Sequence, residues 1–163
     1  MENQDNTPSF STMQKAVVTT KEQRTVETCL LPNRAEPCVV VIIGASGDLT
    51  ARKIVPSLFR LFINGDLPDP CVILGCGRTK LSDHEFRERM ESACLSSDKT
   101  DASPWQRFSE ILYYCPIDYE DLNSYNRLAE EIRTLDGKYG THGNKLLYFA
   151  VPPSLYTSNS EML

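Results

Sequence analysis

The sequence predicts an α/β fold, a doubly wound parallel sheet with helices on both faces. Three observations carry this. Cys38-Val39-Val40-Val41-Ile42-Ile43 is a continuous apolar run that ends in a glycine turn, Gly44-Ala45-Ser46-Gly47. Similar runs recur at Cys71 to Cys76, Leu112 to Ile117 and Leu146 to Val151. Helix-period patterns fill the intervals between them. A short run that is apolar on every residue suits a strand buried on both faces, which is the mark of a parallel sheet covered by helices.

The first run and its turn come first because the rest is arranged around them. A side chain at Gly44 or Gly47 would hold the backbone away from a ligand, and glycine tolerates the dihedrals of a tight turn. The helix that follows offers unpaired N–H groups and the positive end of its dipole, which suits a phosphate. The spacing is G-x-x-G-D-L rather than G-x-G-x-x-G. By itself it also fits a plain strand-to-helix turn with no ligand. The buried-strand pattern before it favours the first βα turn of a nucleotide-binding fold.

A chain of 163 residues fits one domain. A net charge of −5 and a pI near 5.1 argue against a nucleic-acid footprint, which is basic and clustered. They leave room for a phosphate ligand, because one local arginine can bind a phosphate on an acidic protein. No stretch reaches the roughly 18 uninterrupted apolar residues of a membrane span. The six cysteines, Cys29, Cys38, Cys71, Cys76, Cys94 and Cys115, form no C-x-x-C pair, and several lie within apolar strand patterns. They read as reduced thiols of a cytosolic protein, acting as small hydrophobes. Residues 1–36 are polar and lack sustained periodicity, so they read as a flexible amino-terminal arm, with 37–163 as the domain proper.

After Gly47, the residues Leu49, Ile54, Leu58, Leu61 and Phe62 fall on one helical face. Pro56 interrupts the pattern and predicts a kink or a fresh first turn. Arg52 and Lys53 read as a solvated pair. Asn64-Gly65 stops the helix. The second strand, Cys71 to Cys76, runs into Gly77-Arg78-Thr79. In dinucleotide sites the end of this strand carries an acid for the ribose hydroxyls, or an arginine nearby that accommodates a 2′-phosphate. Here Arg78 and Thr79 stand there with no acid, so the pattern favours NADP.

Ser82-Asp83-His84-Glu85 is a capping box, and Phe86, Met90, Ala93 and Cys94 continue that helix's inner face. His84 reads as an exposed first-turn residue. Residues 96–103 read as a polar loop. Ser103-Pro104 opens a helix that turns Trp105, Phe108 and Ile111 inward. The third strand, Leu112 to Ile117, contains Pro116 near its end. Asp118 to Asp121 cap a helix whose inner face is Leu122, Tyr125, Leu128, Ile132 and Leu135, and 137–143 reads as a flexible turn. Leu146 to Val151 reads as a fourth buried strand, followed by Pro152-Pro153 and a helix capped by Ser154.

The layout β-α-β-α-α-β-α-β is that of a Rossmann-type sheet, incomplete and cut after the fourth strand, which is expected to leave that strand and its apolar neighbours partly uncovered and the chain prone to aggregate. Its crossovers are expected to be right-handed, with ligands at the carboxyl ends of the strands. Those ends are Gly44 to Asp48, Gly77-Arg78, Ile117-Asp118 and Val151 to Pro153.

These residues carry a resemblance. Ile43-Gly44-Ala45-Ser46-Gly47-Asp48-Leu49-Thr50-Ala51-Arg52-Lys53-Ile54 with Pro56 resembles the start of glucose-6-phosphate dehydrogenases. Gly75-Cys76-Gly77-Arg78, Pro116-Ile117-Asp118 and Tyr148-Phe149-Ala150-Val151-Pro152-Pro153-Ser154-Leu155-Tyr156 agree with that family in order and spacing. The resemblance implies NADP-dependent oxidation of glucose 6-phosphate to its lactone, within the pentose phosphate pathway. It places Gly44, Ala45, Ser46, Gly47, Asp48, Leu49, Thr50 and Ala51 at the pyrophosphate and Arg78 with Thr79 at the 2′-phosphate. It places Val151, Pro152, Pro153 and Tyr156 near the nicotinamide half, with Ile117 and Asp118 at the third strand end. Ala51 stands where some relatives carry a basic residue.

The family's lysine-proline-phenylalanine-glycine and arginine-isoleucine-aspartate-histidine-tyrosine segments are absent, and His84 and His142 match neither. The second, antiparallel-sheet domain, which carries the family's dimer surface, is absent as well. The chain therefore reads as an amino-terminal portion that binds NADP, lacks catalytic residues and is inactive alone. Glucose 6-phosphate and homo-oligomerisation belong to a complete enzyme. A non-catalytic NADP-binding or interaction module is the alternative. A short-chain reductase or epimerase is disfavoured, because no tyrosine is followed four residues later by lysine.

Overall fold

A computed structural model describes residues 35–95 and 102–162. The expected amino-terminal arm, apart from its last two residues, lies outside this set, as do Cys29 and residues 96–101 of the expected polar loop. Four parallel strands lie in the order β3-β2-β1-β4. They are β1 (Cys38–Ile43), β2 (Cys71–Gly77), β3 (Leu112–Pro116) and β4 (Lys145–Phe149). β1 pairs with β2 on one side and β4 on the other, so the glycine turn leaves from the middle of the sheet.

Alternation along β1 divides the core in two, because successive side chains of a strand point to opposite faces. Val40 and Ile42 join Ile73, Phe86, Phe108 and Tyr114 on one face. That face is covered by α1 (Val55–Asn64), α2 (Asp83–Leu95) and α3 (Ala102–Ser109). Val39, Val41 and Ile43 join Leu74, Tyr125, Leu128 and Ile132 on the other, under α4 (Leu122–Tyr139). The strand is apolar at every position because both its faces are interior.

Pro56 falls in the first turn of α1, one of the two outcomes its position predicts. Helical structure begins at Asp48, widens into a π-helical turn over Thr50–Ile54 and continues as α1. The Val55 amide donates to the Thr50 carbonyl, five residues back, and the flanking dihedrals stay helical. A π turn just upstream accommodates a residue that lacks an N–H and crowds the preceding turn. The inserted residue also rotates the face. Leu49 and Leu61, expected inside, are exposed, while Val55 and Phe59 are buried with Ile54, Leu58 and Phe62 packed beside them. Gly65, at φ 74°, ends α1.

The capping box forms as read. The Ser82 amide donates to Glu85 Oε2 at 2.7 Å and the Glu85 amide donates back to Ser82 Oγ at 3.3 Å. Phe86, Met90 and Cys94 face inward, as do Trp105 and Phe108, which make edge and tilted contacts with Phe59. Asp121 caps α4 through the Asn123 amide. Leu122, one residue into the helix, is exposed because the inward stripe begins at Tyr125. α4 runs through Gly137 to Tyr139, so the expected flexible turn contracts to the residues after the Gly140 cap.

β4 differs from the expected run in its extent. It spans Lys145–Phe149, leaving Ala150 and Val151 in the following loop, and Leu146, Leu147 and Tyr148 are exposed rather than buried. It is an edge strand, and among the described residues none pairs with its outer side. Ser154 lies within a 3₁₀ turn (Pro153–Leu155) and leads into α5 (Tyr156–Met162). α5 is tied to α4 by Tyr125, whose hydroxyl donates to Asn159 Oδ1 at 2.7 Å. Cys38, Cys71, Cys76, Cys94 and Cys115 are free thiols, and burial pushes Cys71 and Cys94 up to about 12, so both stay protonated. No helix of the described residues is long and apolar enough to cross a membrane.

Candidate functional site

The turn after β1 is held from three directions. The Gly44 and Ala45 amides both donate to the Cys76 carbonyl, at 2.8 and 2.7 Å, joining the turn to β2. The Ala150 amide donates to the Ile43 carbonyl at 2.7 Å, joining it to the loop after β4. The buried Thr50 hydroxyl donates to the Gly44 carbonyl at 3.3 Å, joining it to its own helix. Gly44 sits at φ 93°, and a Cβ there would come within 2.5 Å of the Ala150 carbonyl oxygen. Only glycine meets both demands, since other residues pay for positive φ. At Gly47 the constraint is space alone, because a Cβ would meet the Gly44 carbonyl oxygen at 3.1 Å.

Gly44, Ser46 and Gly47 form one wall of an open cleft of about 470 Å³. Arg78 and Thr79, from the end of β2, form a second wall, and Val151 and Pro152, from the loop after β4, form a third. Seven of the residues singled out from sequence thus meet in one place. They meet because parallel strands bring their carboxyl ends to a single edge of the sheet.

The other candidates stand outside that lining. Ala45 is buried beneath it, and Thr50 acts through its bond to Gly44. Asp48 points to solvent and pairs with Arg52 at 3.3 Å, both largely exposed, so Arg52 is the solvated residue its position suggested. Such a pair contributes about 0–1 kcal/mol. Leu49 is exposed and Ala51 half-buried. Ile117 is buried in the core, its amide donating to the Gly77 carbonyl at 3.0 Å. Asp118 shapes the turn into α4: its amide donates to Ser124 Oγ and its carboxylate accepts from the Glu120 amide. Pro153 and Tyr156 are exposed beyond Pro152, with the Tyr156 ring 5.8 Å from that of Phe149.

Tyr119 was not singled out from sequence. It lines the cleft, and the Arg78 guanidinium lies 5.7 Å from its ring centroid. That cation–π contact holds an otherwise exposed arginine over the opening. Burial raises the Tyr119 pKa, against the pull of Arg78, so the ring carries no charge near neutrality. The signal was available one residue past Asp118, at a strand end already marked as ligand-facing. Ala150 and Leu155 also line the cleft and were not singled out.

Neither described histidine enters the cleft. His84 is exposed on α2, 3.6 Å from Glu88, and His142 sits at φ 56° in the turn before β4. Among the described residues no group of His, Cys, Asp or Glu is placed to hold a metal ion. The cleft offers a backbone cradle, one guanidinium and an aromatic face. That set suits a phosphorylated nucleotide and supplies no general base.

Comparison with known proteins identifies the family and the fold. The family described as glucose-6-phosphate dehydrogenase, NAD binding domain, matches residues 41–163. The glucose-6-phosphate 1-dehydrogenase of Chlamydia pneumoniae is 36% identical over 143 residues, covering 86% of this chain and 28% of that protein. That of Treponema pallidum is 42% identical over 123 residues, covering 74% of this chain and 24% of that protein. A solved glucose-6-phosphate dehydrogenase in complex with its substrate glucose-6-phosphate superposes with a TM-score of 0.73 at 27% identity, covering 82% of this chain and 28% of its own. The Mycobacterium avium enzyme superposes with a TM-score of 0.66 at 27% identity, covering 77% of this chain and 26% of its own. The chain therefore spans about a quarter of the length of the relatives it matches. It belongs to the glucose-6-phosphate dehydrogenase family, within that family's nucleotide-binding domain.

Proposed function

We propose that this member of the glucose-6-phosphate dehydrogenase family binds NADP in the cleft between the glycine turn, Arg78 and the loop after β4. The observation that carries the reading is Arg78, an exposed guanidinium at the end of β2, held over the same cleft that Gly44, Ser46 and Gly47 line. The start of the helix beyond the turn receives the pyrophosphate, where the helix dipole favours negative charge, while the turn's own Gly44 and Ala45 amides hold it to β2. Arg78, with Thr79, receives the 2′-phosphate through charge-assisted hydrogen bonds. Val151 and Pro152 flank the nicotinamide half, with Pro153 and Tyr156 just beyond.

When bound, NADP supplies the hydride acceptor. In a protein carrying the rest of the family's fold, the substrate is glucose 6-phosphate and the product its lactone. Such a protein is expected to be a cytoplasmic homo-oligomer. The residues described here bind and orient the nucleotide but hold no base for the sugar's C1 hydroxyl proton. A positioned base contributes about 10²–10⁴-fold. The 163-residue chain alone is therefore expected to form no NADPH from glucose 6-phosphate. Activity in the reduced-nicotinamide absorbance that tracks the purified chain would contradict this.

Calorimetry with NADP and NAD tests the cofactor reading. An arginine–phosphate contact is worth roughly 1.5–3 kcal/mol, a preference of about tenfold to hundredfold for NADP. Arg78→Glu is expected to abolish that preference. Equal affinities for the two nucleotides in the parent chain would overturn the reading.

A further inference from the structure

Resting on the reading that the cleft takes NADP, the geometry points to Tyr114 as a positioning residue that ties the pyrophosphate turn to the 2′-phosphate loop and so sets the preference for NADP over NAD. Tyr114 lies on β3, separated from β1 by the whole width of β2. Its main chain is fixed by Asp83, whose carboxylate accepts from the Tyr114 amide at 2.7 Å. Its ring packs on Phe86, centroids 5.0 Å apart. Its hydroxyl meets residues at and beyond the end of β2. It donates to the Thr79 carbonyl at 2.8 Å, and the Ser46 hydroxyl donates to its oxygen.

Ser46 stands on the glycine turn, and Thr79 is the residue after Arg78. One phenol therefore spans the two loops that hold the two phosphate groups. Gly77 makes room for this bridge. A Cβ there would come 2.8 Å from Ser46 Oγ and 3.0 Å from the Tyr114 oxygen. Burial pushes the Tyr114 phenol up to about 12, so it remains a neutral donor across the working pH range. Arg78 itself is exposed, and long exposed side chains lose entropy when ordered. Anchoring the peptide that follows it, with Tyr119 under its guanidinium, reduces that loss before a ligand arrives. NAD lacks the 2′-phosphate and makes no demand on Arg78, so the effect of Tyr114 falls on selectivity rather than on nucleotide binding as such.

The test is calorimetry on the 163-residue chain carrying Tyr114→Phe, with NADP and NAD titrated side by side in parent and Arg78→Ala backgrounds. Loss of one neutral hydrogen bond predicts a fall in NADP affinity of about threefold to tenfold, with NAD affinity changed less than twofold. In the Arg78→Ala background the same substitution is expected to change NADP affinity by less than about twofold, because the two residues act through one contact. Amide exchange at 78–80 is expected to rise while β1 and β2 amides keep their protection, which separates a loosened loop from an unfolded chain. An equal loss for both nucleotides, or an undiminished loss without Arg78, would overturn the inference. A preference for NADP that Tyr114→Phe leaves intact would overturn it too, with the cofactor reading untouched. A parent chain without that preference would sink both, and this shows before any variant is made. Where Tyr114→Phe does not fold, Gly77→Ala presses a methyl between Ser46 and the phenol and is expected to lower the same ratio. An unchanged ratio there overturns the bridge.

Discussion

β1 and β4 lie side by side in parallel register, with Val40 opposite Leu146, Val41 opposite Leu147 and Ile42 opposite Tyr148. Both are continuous apolar runs, and both form strands. Yet Val41 is wholly buried while Leu147 is 42% exposed, and Ile42 is wholly buried while Tyr148 is 43% exposed. The difference is one of position. β1 has a strand on each side and helices over each face, whereas among the described residues β4 pairs with β1 alone. Apolar character makes a strand, and neighbours decide how much of it water reaches. An edge that shows apolar side chains and unpaired backbone groups is open to pairing with another strand.

The same substitution at paired positions gives the strongest way to break this contrast. Val41→Asp places an unpaired carboxylate in the interior, at a cost of at least about 3–5 kcal/mol, against a typical domain stability of about 5–15 kcal/mol. Its register partner, Leu147→Asp, is expected to change stability by within about 1 kcal/mol. It is also expected to reduce self-association, because charge blunts an exposed edge. Urea unfolding and sedimentation velocity read both. Comparable losses from the two substitutions would show that β4 is covered in solution.

The carboxyl ends are where the two strands become alike, and Gly44→Ala sharpens that point. The new methyl meets the Ala150 carbonyl at a position where φ is already positive. The backbone conformation alone costs roughly 1–2 kcal/mol for a residue with a Cβ. Thermal unfolding should show at least that loss, together with loss of NADP binding. A variant of parental stability and affinity would mean that the turn and the loop after β4 separate freely.

A smaller effect is expected where the chain enters β4. The Asp136 carboxylate accepts from the Thr141 hydroxyl and the Gly143 amide, and these bonds, the hydroxyl's first, hold its pKa below the ordinary 3.8. A depressed carboxylate contributes stability that is present above its unfolded pKa and lost as pH falls through the folded one. Acidification below about 3.8 should therefore loosen the turn before β4 ahead of β1, seen as faster amide exchange at 141–145. Asp136→Asn should remove that pH dependence. The same dependence in the variant would assign it to another group.

Much of the architecture was readable in the chain. Glycine at position 44, proline, the Ser82–Glu85 box and the β-branched run of β1 act through local sterics and neighbouring hydrogen bonds, which any window of sequence displays. The readings that shifted depended on more than a local window. The π turn before Pro56 moved the inward face of α1 from Leu61 to Phe59, because one inserted residue rotates everything after it. α4 ran on through Gly137, since a helix packed along the sheet tolerates one glycine at about 1 kcal/mol.

By itself, then, the sequence determined the strands, their glycine turn, the helix caps and the arginine at the end of β2, because each rests on contacts within a few residues or on a pattern with a fixed period. Only the tertiary structure decided which side chains of β4 water reaches among the described residues. It alone set Tyr119 beneath Arg78 and joined Ser46 to Thr79 through Tyr114. Those arrangements link residues some 30 to 70 positions apart in the chain, and the order in which strands pair is what brings such residues within hydrogen-bonding distance.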